Sequence, residues 1–176
     1  MRIGIDISQT AFENTGVSMY LESLLESLVK IDSNNEYILF FSSLRKNLNP
    51  KILNLANHKN VKIKIFKIPP TILDFVWNKV HILPLEWLVG NVDLFITSDW
   101  AEPPSKIKKA TILYDLVIYK YPEETDKKII AVQKRRLQWV KKECDVIFCI
   151  SQSTKKDAIK ILGIEEKRLN VIYPGI

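Results

Sequence analysis

The chain is poor in the residues that characterise secreted and metal-bound domains. Its 176 residues include two cysteines, two histidines and five glycines. Cys144 and Cys149 lie five positions apart, with no second pair and no nearby histidine, so neither a zinc site nor a disulfide framework is indicated. We therefore expect no metal site, and we expect both cysteines to be small buried residues, as free cysteines usually are.

A long hydrophobic run is also missing. No stretch approaches the roughly 20 apolar residues that span a bilayer, and the N-terminus lacks the apolar region and cleavage site of a signal peptide. The hydrophobic fraction of 47% and the charged fraction of 26% are those of an ordinary globular domain. We therefore expect one cytoplasmic domain with a single sizeable core.

Glycine is scarce where nucleotide-binding loops require it. The loop at 8–17, between the first predicted strand and helix, contains Gly16 alone, so neither G-x-G-x-x-G nor a Walker sequence is present. An NAD enzyme or a P-loop NTPase is therefore disfavoured. Gly16 still lies at a helix start, where free amides and the helix dipole suit a diphosphate. The alternative is a turn residue without a ligand.

Positive charge is concentrated in the second part of the chain. Residues 1–100 carry 10 Lys or Arg and 10 Asp or Glu, whereas residues 101–176 carry 16 and 10. Much of the excess lies between Lys127 and Lys142, where an apolar helix face leaves the cations on the other side. This face is either simply solvated or a patch for anionic lipid headgroups or a phosphorylated acceptor. No nucleic-acid partner is expected, because no binding-module signature appears.

Apolar segments at strand spacing alternate with segments at helix spacing. Strands are predicted at 2–7, 37–41, 61–68, 93–97, 111–114, 146–150 and 170–173. Helices are predicted at 17–31, 74–88 with a break near Pro84, 123–143, and 153–162 with caps at Ser151 or Ser153 and at Gly163. Because parallel strands need crossover connections, this alternation predicts an α/β fold. We expect a Rossmann-like, doubly wound, mainly parallel sheet with helices on both faces.

Two predicted strands carry further information about their place in the sheet. The segment at 61–68 has apolar residues on both faces, which indicates a central strand. Lys62, Lys64 and Lys67 alternate along it, which indicates a place nearer an edge. The segment at 171–176 is predicted to be a last buried strand that runs into a turn.

In a doubly wound sheet, ligands bind beyond the carboxyl ends of the strands. Asp99 and Trp100 follow one predicted strand, and Tyr114 and Asp115 follow the next. Carboxylates accept hydrogen bonds from sugar hydroxyls, and aromatic rings cover apolar sugar or lipid surface. Asp99 and Asp115 can equally cap the turns that follow them. A further loop begins at Ser151.

Six segments in order along the chain carry a family resemblance. They are RIGID at 2–6, TGVSMYL at 15–21, DLFITS at 93–98, LYDL at 113–116 with YPE at 121–123, VIFCISQS at 146–153 and VIYPGI at 171–176. Together they resemble the N-terminal domain of glycosyltransferase family 4, whose members use nucleotide-sugars and have the two-domain GT-B fold. The resemblance covers essentially the whole chain.

The resemblance implies transfer of a sugar from a nucleotide diphosphate-sugar to a sugar, polysaccharide or lipid-linked acceptor. It implies retention of configuration, no metal and no cofactor. The implied roles are the donor diphosphate loop at Thr15 and Gly16, catalysis at Tyr114 and Asp115, and acceptor binding at Asp99, Trp100 and Ser151. We expect residues 1–176 to be the acceptor-side domain, without the donor-binding domain, and to be inactive alone.

The sequence also departs from the family pattern. Thr15, Ser18 and Met19 occupy positions where the family often has glycine, glycine and arginine. Tyr114 occupies a position where histidine is usual, and a tyrosine can donate a hydrogen bond but is not readily protonated near neutral pH.

Two alternative functions remain. The chain could be a stand-alone acceptor-binding or scaffold domain that works with a separate donor-domain polypeptide. It could also lie peripherally at the inner face of the membrane, through the cations between Lys127 and Lys142 and the apolar segment at 73–89. Such an apolar segment is more often explained by packing in the core or against another domain.

Overall fold

One parallel sheet organises the computed structural model, which describes residues 1–175. Its strands are β1 Arg2–Asp6, β2 Glu36–Ser42, β3 Val61–Phe66, β4 Leu94–Thr97, β5 Lys108–Leu113, β6 Val146–Cys149 and β7 Leu169–Val171. Their spatial order is β3-β2-β1-β4-β5-β6-β7, and every neighbouring pair runs parallel. The predicted Rossmann-like α/β fold is confirmed.

Helices and short turns connect the strands. The α-helices are α1 Gly16–Ile31, α2 Pro50–Asn54, α3 Pro70–Leu73, α4 Glu86–Val89, α5 Val117–Lys120, α6 Lys127–Glu143 and α7 Gln152–Asp157. The 3₁₀ turns are Ser8–Ala11, Leu55–Asn57, Pro122–Glu124 and Glu166–Arg168. Two π-helical segments, Asp74–Lys79 and Ala158–Leu162, continue α3 and α7. None of the helices within residues 1–175 is long and apolar enough to cross a bilayer.

Capping residues set the ends of the later helices. The Ser151 side chain accepts a hydrogen bond from the Thr154 amide at 3.0 Å, and Gly163 ends the helical segment with a φ of 64°. The predicted helix at 153–162 is therefore confirmed. The predicted start of the preceding helix at residue 123 is wrong, because Asp126 caps α6, which begins at Lys127.

The helix predicted at 74–88 differs most from the structure. Helical structure begins earlier, at Pro70, because proline suits the first position of a helix. It stops after Lys79, and helical structure resumes only at Glu86. His81 and Leu83 between them have φ angles of 57° and 68°, a conformation that a right-handed helix does not contain. The break therefore covers residues 80–85 and is not confined to Pro84.

The centre of the sheet is buried on both faces. In β2, Tyr37, Leu39 and Phe41 belong to one buried cluster with residues of α1 and α2. Ile38 and Phe40 point to the opposite face and pack with residues of α3 and α4. A third cluster joins α6 and the second π-helical segment to β5 and β6. Helices on both faces were predicted, and the alternation along β2 shows them.

The two edge strands resolve the remaining predictions about the sheet. β3 lies at one edge, so the alternating lysines, rather than the apolar run, indicated its place correctly. β7 forms the other edge, and the prediction of a buried last strand is wrong. Leu169 is buried, but Asn170, Ile172 and Tyr173 are exposed. The final residue of the predicted turn, Ile176, lies outside the described residues.

The domain buries two cysteine thiols and a cluster of charged side chains. Cys144 and Cys149 are free and buried, as predicted, and burial raises the pKa of both thiols, that of Cys149 to about 11. Lys109 is also buried, with its Nζ 2.9 Å from Glu102 Oε1 and 2.7 Å from Glu143 Oε2. The Lys109 cation therefore stabilises both carboxylates near the start of β5, away from the carboxyl edge of the sheet.

Candidate functional site at the carboxyl edge of the sheet

The strand order reverses between β1 and β4, and this is the position where doubly wound sheets bind ligands. Asp6 ends β1, Ser98 follows β4, and Tyr114 follows β5. The first turn of α1 begins at the same edge with Gly16. This first turn of α1 separates two pockets, here named the β1 pocket and the β5 groove.

The β1 pocket has a volume of about 330 Å³ and lies beyond β1, β2 and β4. Its walls are Asp6, Ser8, Gln9, Ala11, Phe12, Thr15, Val17, Ser42, Ser43, Pro70, Leu73, Ser98, Trp100 and Ala101. The β5 groove, about 670 Å³, lies between α1 and the segments that follow β5, β6 and β7. Its walls are Gly16, Val17, Met19, Tyr20, Ser23, Leu24, Ser27, Tyr114, Asp115, Ile150, Ile172, Tyr173, Pro174 and Gly175.

Hydrogen bonds link four polar residues of the β1 pocket: Asp6, Ser8, Ser42 and Ser98. The Ser8 amide and the Ser98 hydroxyl donate to the two carboxylate oxygens of Asp6, each at 2.8 Å. The Ser42 amide donates to Ser8 Oγ at 3.0 Å, and Ser42 Oγ donates to the Ile68 carbonyl at 2.8 Å. Burial raises the pKa of Asp6, although these hydrogen bonds oppose the effect.

A buried arginine lies behind the loop that follows β4. Arg136 of α6 is fully buried and donates to Thr111 Oγ1 at 2.6 Å, and its Nη1 lies 3.5 Å from Asp99 Oδ1. Burial raises the pKa of Asp99 to about 6, because desolvation outweighs the attraction of Arg136, and the Asp115 charge adds to the rise. The expectation that the α6 cations lie on a solvated face is therefore wrong for Arg136.

Tyr114 forms one wall of the β5 groove. Its ring meets the Tyr20 ring edge to face, with centroids 5.6 Å apart. Burial, together with the nearby Asp99 charge, raises the pKa of Tyr114 well above its ordinary value. Its hydroxyl group therefore stays protonated at neutral pH and can donate a hydrogen bond. Asp115 is exposed beside it, and Asp115 Oδ1 accepts a hydrogen bond from the Val117 amide at 3.0 Å.

The structure divides the predicted site residues among three places. Gly16, Tyr114 and Asp115 line the β5 groove. Thr15 and Trp100 line the β1 pocket. The remaining two, Asp99 and Ser151, line neither pocket: Asp99 pairs with Arg136, and Ser151 caps α7. The predicted residues thus share one edge of the sheet, but they do not converge on one crevice.

Three residues of this edge were not predicted from the sequence. Arg136 lies three positions after Gln133 and four before Val140, so helical spacing already places it on the buried face. Asp6 is a polar residue at the end of a buried strand, and such a residue can indicate the edge of the sheet where ligands bind. Tyr20 has no such signal, because its partner Tyr114 is 94 positions away in sequence.

The start of α1 offers backbone donors without nearby cations. Thr15 Oγ1 accepts the Ser18 amide at 3.2 Å, which leaves the Gly16 and Val17 amides without an intrahelical partner. A Cβ at Gly16 would have nothing within 4 Å, so the backbone is open to a ligand. None of the described residues that line the β5 groove is lysine or arginine. Residues 1–175 also contain no group of three metal-ligating side chains.

The fold and the site define an α/β domain whose ligand crevice lies at the carboxyl edge of a parallel sheet. The family described as Glycosyltransferase Family 4 matches residues 14–176. The chain therefore belongs to glycosyltransferase family 4, as the sequence resemblance implied. No curated protein matches the chain significantly.

Proposed function

We propose that this chain is the acceptor-side domain of a retaining, metal-independent glycosyltransferase. The transferase moves a sugar from a nucleotide diphosphate-sugar to an acceptor, and a second domain holds the nucleotide. The observation that carries the proposal is the β5 groove, where the open α1 start faces Tyr114 and Asp115. A sugar between them meets backbone amides on one side and a phenol and a carboxylate on the other.

The proposed chemistry depends on positioning and electrostatics. The departing diphosphate lies at the Gly16 and Val17 amides, where the helix dipole is favourable. Tyr114 stays neutral and donates a hydrogen bond to the reacting sugar, a role that does not require the protonatable group that histidine provides. The Asp115 carboxylate is oriented by the Val117 amide and offsets positive charge that develops on the sugar.

The groove also explains why the chain alone should be inactive. A diphosphate carries negative charge that the amides of one helix start neutralise only in part, and no lysine or arginine lines the described groove. We propose that the countercharge comes from the donor-binding domain. The alternative assembly, in which that domain is a separate polypeptide, has the same requirement.

The test is a transfer assay with the chain alone, using UDP-glucose and GDP-mannose as probe donors and simple glycosides as acceptors. We expect neither transfer nor accelerated donor hydrolysis, and we expect a donor dissociation constant weaker than about 1 mM by calorimetry. Turnover by the chain alone would contradict the proposed division of labour. Micromolar donor binding that Gly16→Trp leaves unchanged would contradict the role of the α1 start.

A specific observation favours a peripheral membrane position as a second candidate. Large apolar side chains on the segment that contains α3, the first π-helical segment and α4 are exposed. We name these the apolar patch: Ile72, Phe75, Val80, Ile82 and Trp87, the last with 76% of its surface exposed. Such a cluster, rather than the α6 cations alone, is what an interfacial surface requires.

Charge around the apolar patch suits an anionic surface. Lys79 lies over the Phe75 ring at 5.6 Å, and Lys142 lies over Trp139, whose ring stacks on His81. Among residues 1–175, neither lysine has a carboxylate within ion-pair distance. Of the two acidic residues in this segment, Asp74 is paired with Arg135 at 2.7 Å, and Glu86 accepts hydrogen bonds from the Ser105 hydroxyl and the Lys106 amide.

Vesicle co-sedimentation decides between the versions of this candidate. We expect binding to phosphatidylglycerol vesicles that falls at high salt and falls again in Trp87→Ser, because both charge and apolar area contribute. The matched control Trp139→Phe changes a tryptophan that is stacked on His81 outside the patch, and it should bind as the natural chain does. Equal binding to neutral and anionic vesicles would remove the electrostatic contribution.

A further inference from the structure

We propose that the β1 pocket holds the apolar portion of an amphiphilic acceptor. That the ligand is an acceptor rests on the proposed function. The inference adds its chemical class: a hydroxyl-bearing head joined through an oxygen atom to an acyl, alkyl or isoprenoid chain. The volume of the β1 pocket, about 330 Å³, lies at the lower end of the range of small-molecule pockets, about 300–1,000 Å³.

The walls of the pocket favour an apolar occupant. Ala11, Phe12, Val17, Leu73 and the Trp100 ring supply hydrocarbon surface on several sides. Four of the polar wall residues already satisfy one another, through the hydrogen bonds that join the Asp6 carboxylate to Ser8 and Ser98 and Ser8 to Ser42. A polar ligand would have to break this network, whereas a hydrocarbon chain would leave it intact.

One buried polar atom of a wall residue is the exception. Trp100 Nε1 is buried and has no hydrogen-bond partner among residues 1–175. An unsatisfied buried donor is costly, and native structures usually provide a partner for it. A small turn of the indole towards the pocket would let a single acceptor oxygen on the ligand supply that partner. An ether, ester or glycosidic oxygen next to the hydrocarbon chain has this chemistry, so Trp100 would mark the junction between head and chain.

The position of the pocket agrees with this division of the ligand. Val17 lines both the β1 pocket and the β5 groove, so the two lie side by side at the first turn of α1. The head would then reach Tyr114 and Asp115. On its other side, the pocket wall at Leu73 belongs to α3, whose neighbouring residue Ile72 is part of the exposed apolar patch.

The test compares two probes by ¹⁵N NMR titration of the whole chain. The first is n-octyl β-D-glucoside below its micelle concentration, and the second is methyl β-D-glucoside, which has the same head and almost no chain. Each buried methylene contributes about fourfold in affinity, so the octyl probe should bind at least about tenfold more tightly. Its addition should shift the Trp100 indole resonance and the Ser8 and Ser43 amides.

Two tryptophan variants locate the binding site. Gln9 lines the β1 pocket, and its side chain forms no hydrogen bond within the described residues, so Gln9→Trp fills the pocket without removing a contact. Ile31→Trp places the same ring at the exposed end of α1, outside both pockets. We expect Gln9→Trp to weaken octyl glucoside binding at least tenfold, and we expect Gln9→Ala and Ile31→Trp to retain the preference for the octyl probe over the methyl probe.

Three results would overturn the inference: equal affinity for the two probes, no binding of the octyl probe, or a Gln9→Trp variant that binds the octyl probe as tightly as Ile31→Trp does. The shifts in the natural chain decide the question even if Gln9→Trp does not fold. No donor takes part in this experiment, so its failure leaves the proposed transferase function untouched. Conversely, turnover by the chain alone would contradict the proposed function without affecting a measured preference for the octyl probe.

Discussion

Replacement of Arg136 by methionine should reveal how the charge at Asp99 depends on α6. Arg136 is fully buried, and it donates to Thr111 and faces Asp99 at 3.5 Å. Removing one partner of a buried ion pair costs about 3–5 kcal/mol, because the other charge remains in a poorly solvated place. We therefore expect Arg136→Met to lower the free energy of unfolding by about 3–5 kcal/mol at pH 7.5.

The cost should depend on pH, and its sign follows from the raised pKa. Asp99 has a pKa of about 6 in the folded chain, against about 3.9 in an unfolded chain. The folded state therefore binds the proton more tightly, and the contribution of Asp99 to stability falls as pH rises from about 4 to 6. Without Arg136 the folded pKa rises further. The difference between variant and natural chain should thus shrink to about 1–2 kcal/mol at pH 5, which is the cost of the hydrogen bonds that Arg136 no longer donates to uncharged partners such as Thr111.

Urea unfolding at pH 5.0 and 7.5 measures both quantities. Arg135→Met is the matched control on the same helix, because Arg135 is 32% exposed and pairs with Asp74 near the surface, so its loss should cost at most about 1 kcal/mol. Addition of Asp99→Asn to Arg136→Met should recover the pH-dependent part of the loss. Equal costs for the two arginines, or a cost that does not change with pH, would refute the reasoning.

Two further stability predictions follow from the sheet. Gly4→Ala should lower the free energy of unfolding in urea by about 1–3 kcal/mol, because the added Cβ would overlap the buried Phe95 ring. The control Gly16→Ala adds its Cβ in open space and should leave the free energy of unfolding unchanged. A Gly4→Ala variant as stable as the natural chain would contradict this. Lys109→Met should cost about 3–5 kcal/mol, because the buried Glu102 loses its cation, whereas Glu143 keeps its contact with His81. A neutral effect of this substitution would contradict the prediction.

The fold was largely predictable because its signals are local. Apolar strands alternate with amphipathic helices, and the lysines at 62 and 64 mark β3 as an edge even though the strand also has apolar residues on both faces. Helix boundaries were less predictable. The positive φ angles of His81 and Leu83 depend on surrounding contacts, among them His81 stacked on Trp139, rather than on the residue types themselves.

The candidate site was predictable in position but not in arrangement. The rule that ligands bind at the carboxyl ends of parallel strands placed Gly16, Tyr114 and Asp115 at one groove. The first turn of α1 divides this edge of the sheet into two pockets. That division depends on how α1 packs against the sheet, which the spacing of apolar residues in the sequence does not predict. The pairing of Arg136 with Asp99 joins residues 37 positions apart, and a row of cations in the sequence suggested a solvated face instead.

A crystal structure of the chain grown with n-octyl β-D-glucoside tests the central claim most directly. The claim is that the carboxyl edge of this sheet holds a sugar acceptor. We predict that the glucose ring lies in the β5 groove against Tyr114 and Asp115, with the octyl chain in the β1 pocket and the glycosidic oxygen near Trp100 Nε1. An amphiphile bound only away from this edge, with both pockets empty, would contradict the account.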